Sequence, residues 1–453
     1  MKHVFKTCCA FLLVTVMCLT LFACKGNVNP DITVNPSAKI EPKGDVKFTC
    51  SISTLKEEAA ADAFIAEFEK KYPDVNVTKD YNPGNIPARI ASGEIGDVFY
   101  FTEEETYNYA VTQKSLLQLN QYIQPLGVDT SAIYSGIYAL GMVEGQLYMV
   151  PRDYNHIVMV YNKTALTEAG LATPEDGWTW EDFKSYCTQL TKTDPADANV
   201  YQQVGGYLNY SWDPVYVSFL EGWGGSWVDT ENKVITLTDE KVRTGIEELL
   251  TFAKTGAIKP EGQSDMSKYS KLTEEAYVFR TMVYPNIVSI GQSYDNLGID
   301  WDFVSFPALP THKVGTGSAG FGVYKYTENP NAAAALALFF FTVEGQTAYH
   351  SAPGGSVPLM KELGNADFWR YTSSKDTEAD WSTKNFDAFI SFPEADTVGR
   401  PNCKMPSRVA SVITSGWAGM LGQYFDNGNY IDSLTTMETT ANETWQRILN
   451  SSK

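Results

Sequence analysis

Between Val46 and Phe101 the chain switches repeatedly between two hydrophobic rhythms, and this switching constrains its fold more than any other feature. Val46, Phe48, Cys50 and Ile52 occupy every second position, the period of a half-buried strand. Ala61, Phe64, Ile65, Phe68 and Tyr72 then recur at helical spacing until Pro73 stops the run. Val75 and Val77 mark a second strand, Ala88–Ala91 a short helical piece ending at Gly93, and Asp97–Phe101 a buried third strand. Strand, helix, strand, helix, strand predicts a parallel sheet with helices on its faces, an α/β fold.

The same style continues downstream. Gly145 turns the segment VEGQLYMVP, which ends at Pro151, and Ile157–Tyr161 is β-rich. Thr179-Trp180-Glu181-Asp182 carries a capping-box pattern opening a helix. Val242, Ile246, Leu249, Leu250 and Ala253 line one helical face, with Gly256 placed as the C-terminal cap. Asn331–Val343 predicts one helix, apolar nearly all round and therefore buried. There is no short-period repeat and no heptad pattern. With 453 residues, 43% of them apolar and 13% aromatic, the chain has material for two to three domains and a large core.

The N-terminus points outside the cytoplasm. Lys2 and Lys6 precede an apolar run that closes with Leu21-Phe22-Ala23-Cys24. This resembles a bacterial lipoprotein signal, cut before Cys24 so that this cysteine takes the lipid; Phe22 departs from the smaller residue usual there. The competing reading is an uncleaved anchor, but the run from Cys8 to Cys24 reaches only the bottom of the ~17–25-residue spanning range. Lys25–Gly44, rich in Asn and Pro, is expected to be a tether of roughly 25 Å root-mean-square span. Formal charge is −19, and removal of residues 1–23 takes two lysines and no acid. Such a field disfavours nucleic acid and anionic lipid as partners. Of seven cysteines, Cys8, Cys9 and Cys18 leave with the signal and Cys24 is lipidated. Cys50, Cys187 and Cys403 remain, read as buried free thiols, although a pair stays open. His3, His156, His312 and His350 have no metal-ligand spacing, and no metal or cofactor is expected.

Ordered stretches along the mature chain carry a family resemblance. They run FIAEFEKKYPDVNV, ARIASGEIGDVFYF, SLLQLNQYI, EGQLYMVPRDYNHIVMVYNKTALTEAGL, GWTWEDFKSYCTQLTK, FPALP, GSAGFGVYKYTENPNAAAALALFFFT and PGGSVPLMKEL. Together they resemble the extracellular solute-binding proteins of ABC importers, family 1, which includes the maltose-binding proteins. Glu94-Ile95-Gly96-Asp97 departs from the family, which usually has Pro before the Asp. The resemblance implies a two-lobed, type II periplasmic-binding-protein-like fold, with lobe 1 at 45–152 plus 321–365 and lobe 2 at 156–318 plus 368–453. Arg152–Asn155 then forms a hinge crossing, and the ligand sits in the cleft between the lobes.

Sugars offer hydroxyls around apolar ring faces, so a site for them wants planar hydrogen-bonding groups and aromatic platforms. The resemblance places Phe101 and Glu104, Asp153 and Asn155, Trp212 and Asp213, Tyr284, and Gly320 and Phe321 in the cleft. Each has a plainer reading. Glu103–Glu105 also suit a helix start, Asp153–Asn155 a polar loop, Trp223 and Trp227 a core, and Gly354-Gly355-Ser356 a simple turn. Asp97 opens its strand and is read as structural. The implied protein is a monomeric, lipid-anchored binding protein on the extracytoplasmic face, delivering a sugar or oligosaccharide to a permease and breaking no bond. The alternatives are a surface glycoside hydrolase with two carboxylates across a cleft, a carbohydrate-binding adhesin, and a carrier of a non-sugar solute.

Overall fold

The computed structural model describes residues 34–35, 37–371, 380–392 and 396–451. The signal residues 1–23, Cys24 and the first part of the tether lie outside them. From Asn35 onward the chain forms one compact unit.

Gly44–Thr49 (β1), Val75–Asp80 (β2), Val98–Thr102 (β3) and Val150–Pro151 (β4) are laid down first. The chain then crosses over and lays down Val158–Asn162 (β5), Lys192–Asp194 (β6), Asp197–Tyr207 (β7), Tyr277–Met282 (β8) and Trp301–Ser305 (β9). Ala319–Val323 (β10) returns to the first sheet. Sheet one has the order β2-β1-β3-β10-β4, and sheet two β9-β5-β8-β7-β6. β1 pairs in parallel with both β2 and β3, as the alternating rhythms predict, and β10 runs antiparallel to β3. The two sheets are the hearts of lobe 1 and lobe 2.

Each lobe has its own core. In lobe 1, Phe64 of the helix Leu55–Lys71 stacks on Phe340 at 3.8 Å, and Phe340 stacks on Phe321 of β10 at 4.7 Å. In lobe 2, Phe183, Phe219, Trp227 and Leu249 share a cluster with Trp417 and Trp445. The C-terminal helices Ser407–Asn427 and Ile431–Ser451 therefore belong to lobe 2. Trp227 is core, its indole N–H bound to Glu221. Both helix caps are specific: Thr54 and Thr179 form complete capping boxes with Glu57 and Asp182.

Two expectations change. The single helix over Asn331–Val343 is instead Pro330–Leu338, a tight turn Phe339–Phe341, and a new helix Val343–His350. Thr342 breaks the run by taking an extended conformation, from which its hydroxyl accepts the Gly345 N–H at 3.1 Å. The end of the tether is also not free. Ile40 is buried and its N–H reaches the Pro125 carbonyl at 3.2 Å, so the chain joins lobe 1 before β1 begins. Asp97 is structural, accepting the Lys47 N–H and the Thr327 hydroxyl. Cys50, Cys187 and Cys403 are free thiols, the first two buried and Cys403 half-buried.

Candidate ligand site between the lobes

Two segments pass between the sheets, and a third stretch is laced to them where they cross. In the first, Arg152 donates its backbone N–H to Ala319, and Asn155 donates its amide to the Gly317 carbonyl at 2.9 Å. In the second, the Thr316 hydroxyl donates to the Asn155 carbonyl at 2.7 Å. The third arrives late in sequence: Thr397–Val398 pairs in parallel with Val314–Gly315, and Thr397 shares a 2.7 Å hydrogen bond with His156 Nε2. Burial holds the His156 imidazole neutral, with a pKa lowered to about 3.

Arg400 follows that third strand directly and reaches the middle of the crossing. Its Nη1 meets Glu104 Oε2 at 2.7 Å, and its Nε lies 3.2 Å from Glu103 Oε1 and 3.9 Å from Asp213 Oδ1. Glu103 and Glu104 turn off the end of β3 in lobe 1, whereas Asp213 opens the helix Asp213–Glu221 in lobe 2. Gly317 makes the room, since a Cβ there would stand 2.6 Å from Arg400 Nη2. Glu103 is fully buried, its carboxyl oxygens lack a geometrically complete hydrogen bond among the described residues, and Arg400 Nε lies 3.2 Å away as its ion-pair partner. Burial raises its pKa to about 8 against the pull of Arg400, and burial raises that of Asp213 as well. Asn155 Oδ1 is buried with no partner too. Polar atoms left open in so dense a region are what a ligand would complete.

A second polar hub backs the first. Arg152 grips Asp153 through Nη2 and Nε at 2.8 and 3.0 Å, donates to the Tyr349 hydroxyl at 3.2 Å, and lies against the Tyr100 and Tyr349 rings. The Ser356 hydroxyl also donates to Asp153, at 3.2 Å. Farther along the cleft, a cavity of about 360 Å³ opens between Tyr107 and Met142 of lobe 1 and Cys403 and Lys404 of lobe 2. Its edge is bridged by Lys233 and Glu144 at 2.8 Å.

The crossing thus gathers Glu104, Asn155 and Asp213, with Trp212 half-buried at the start of the same helix as Asp213. Asp153 lies one step behind, committed to Arg152. Four residues expected to meet ligand are packed within the lobes. Phe101 packs against Phe99 and Tyr109 in the lobe 1 core. Phe321 is wholly buried between Phe48 and Phe340. Gly320 serves strand packing, because a Cβ there would overlap the Val150 carbonyl. Tyr284 is covered by Trp369, Tyr371 and Phe389, and its hydroxyl donates to the Trp369 carbonyl. In strand ends of alternating pattern, aromatic identity alone does not say which ring turns inward. Arg400 and Glu103 were missed for different reasons. Arg400 has no motif around it; Glu103 stood in the acid run, where nothing local separated it from Glu104.

Two α/β lobes joined by laced crossings, with a polar centre drawn from both, define a two-lobed periplasmic-binding-protein-like fold. The chain belongs to the bacterial extracellular solute-binding protein family, whose profile matches residues 52–347. Membership puts its working place outside the cytoplasm. Among the described residues no helix is long and apolar enough to cross a membrane. Solved structures share the fold at low identity. The sugar-binding protein MalE from Xanthomonas citri superposes with a TM-score of 0.71 at 14% identity, over 90% of this chain and 100% of that one. The cyclic alpha-maltosyl-1,6-maltose binding protein from Arthrobacter globiformis gives 0.68 at 15%, over 89% and 100%. An ABC substrate-binding protein from Listeria monocytogenes, in complex with cycloalternan, gives 0.64 at 19%, over 89% and 99%.

Proposed function

We propose that this protein is the extracytoplasmic binding component of an ABC importer, lipid-anchored through Cys24, that captures a sugar or oligosaccharide between its lobes and presents it to a permease. The observation that carries the reading is the shared polar centre: Arg400 of lobe 2 meets Glu103 and Glu104 of lobe 1, beside the unpartnered Asn155 Oδ1. A ligand completing those groups contacts both lobes at once, and so shifts the population toward the closed form. The sugar-binding character of the structural relatives supports a carbohydrate as the solute. In this mechanism Glu104, Asp213 and Asn155 accept or donate to hydroxyls, Trp212 offers an apolar face, and no bond is broken.

A thermal-shift screen of mono- and oligosaccharides tests the reading. The right sugar raises the melting temperature by mass action, by about 2.7 kcal/mol of stability at a hundredfold excess over Kd. A shift with an amino acid, polyamine or phosphate ester and none with any carbohydrate would sink the sugar assignment. Turnover of a chromogenic glycoside would favour the hydrolase instead. Cys24→Ser should release the protein from membranes into the soluble fraction and abolish labelling by a clickable palmitate analogue.

A further inference from the structure

We propose that the interlobe site selects saccharides by charge, admitting neutral and amine-bearing sugars and rejecting uronates and sugar phosphates. The proposal rests on the carbohydrate reading above and specifies which carbohydrates.

The cations at the crossing are already matched or outnumbered. Arg152 is spent on Asp153 at 2.8 Å and on the Tyr349 hydroxyl. Toward the cleft edge, Lys404 is paired with Glu221 at 2.7 Å and Lys233 with Glu144 at 2.8 Å. Arg400 alone faces three acids, Glu103, Glu104 and Asp213, at 3.2, 2.7 and 3.9 Å, and with Glu103 holding its proton near neutral pH two acids still share one cation. An incoming carboxylate or phosphate would have to displace Glu104 or Asp213 from Arg400 while facing the other. Like charges brought together in this way are a standard device for rejecting wrong partners.

The hydrogen-bond inventory points the same way. The buried atoms without a hydrogen bond at the crossing include the Glu103 carboxyl oxygens, Asn155 Oδ1 and one charged donor, Arg400 Nε, which already faces Glu103 Oε1 at 3.2 Å. Asn155 Oδ1 calls for a donor, which sugar hydroxyls and ammonium groups supply and ionised acid groups do not.

The test is isothermal titration of the purified protein with gluco- and galacto-oligosaccharides, each offered in neutral, amino and uronic forms. For every skeleton that binds, the uronic form should bind at least about tenfold more weakly than the neutral form, and the amino form at least as tightly as the neutral one. Uronates binding as well as their neutral counterparts would overturn the charge rule and leave the carbohydrate reading standing. No heat with any saccharide overturns the carbohydrate reading, and this proposal with it. The double variant Glu104→Gln, Asp213→Asn should shrink the uronate penalty several-fold. Unchanged selectivity in that variant, with a cooperative melt showing it folded, would mean these carboxylates are not the selector.

Discussion

Arg400 shows how much one side chain can decide. It lies 296 positions from Glu104, and it turns two acids at the end of a strand into the centre of an interlobe site. Replacing it with Gln should weaken ligand binding by at least tenfold and lower stability by about 2 kcal/mol. That cost is less than a fully buried pair's, because Arg400 keeps 20% side-chain exposure and Glu103 can take up a proton. Glu103 makes a pH prediction. Its carboxyl titrates near 8 in the fold against an ordinary 4.5, so between these values the folded chain holds a proton the unfolded chain has lost. Stability therefore falls as pH rises from about 4.5 and levels off above about 8, with Arg400, Glu104 and Asp213 as the charges facing it. Melting curves from pH 5 to 8.5 should show this decline, and Glu103→Gln should flatten it; an unchanged slope in the variant would assign the decline to other groups.

At the scale of elements, local signals were legible wherever the physics was local. The capping box at Thr179 is visible in four consecutive residues because its hydrogen bonds close within one turn, at 2.9 Å from Thr179 N to Asp182 and 3.1 Å from Asp182 N to Thr179 Oγ1. Thr179→Ala should cost about 1 kcal/mol by chemical denaturation and leave ligand affinity unchanged. The helix over Asn331–Val343 was misread for the converse reason. Its composition is helical throughout, yet Thr342 is worth more as a cap, and a Cβ at Gly345 would overlap the Phe339 carbonyl. Phe101, Phe321 and Tyr284 are packed inside the lobes on similar grounds. Each lies on or beside a strand, and which neighbours cover it depends on Tyr109, Phe340 or Trp369, supplied from elsewhere in the chain.

At the scale of the whole molecule, ion pairs join residues of the two lobes. Lys233 and Glu144 are 22% and 55% exposed, so their bridge contributes about 0.5 kcal/mol or less. Glu144→Gln should accordingly widen the mean interlobe distance of the unliganded protein only slightly, read by spin labels on the two lobes. Salt above about 0.5 M should erase the difference from the parent protein, because screening then falls within a few ångströms. The α/β class, the first three parallel strands, the helix caps and the family are legible in the amino-acid order alone, since periodicity, capping and ordered motifs are written in neighbouring residues. Only the tertiary structure decided that Arg400 and Glu103 stand at the centre of the crossing, that Glu104, Asn155 and Asp213 join them, and that Phe101, Gly320, Phe321 and Tyr284 do not. Burial and charge pairing are set by groups hundreds of positions apart, and no local pattern records which of them the fold will bring within the 2.7–3.9 Å seen around Arg400.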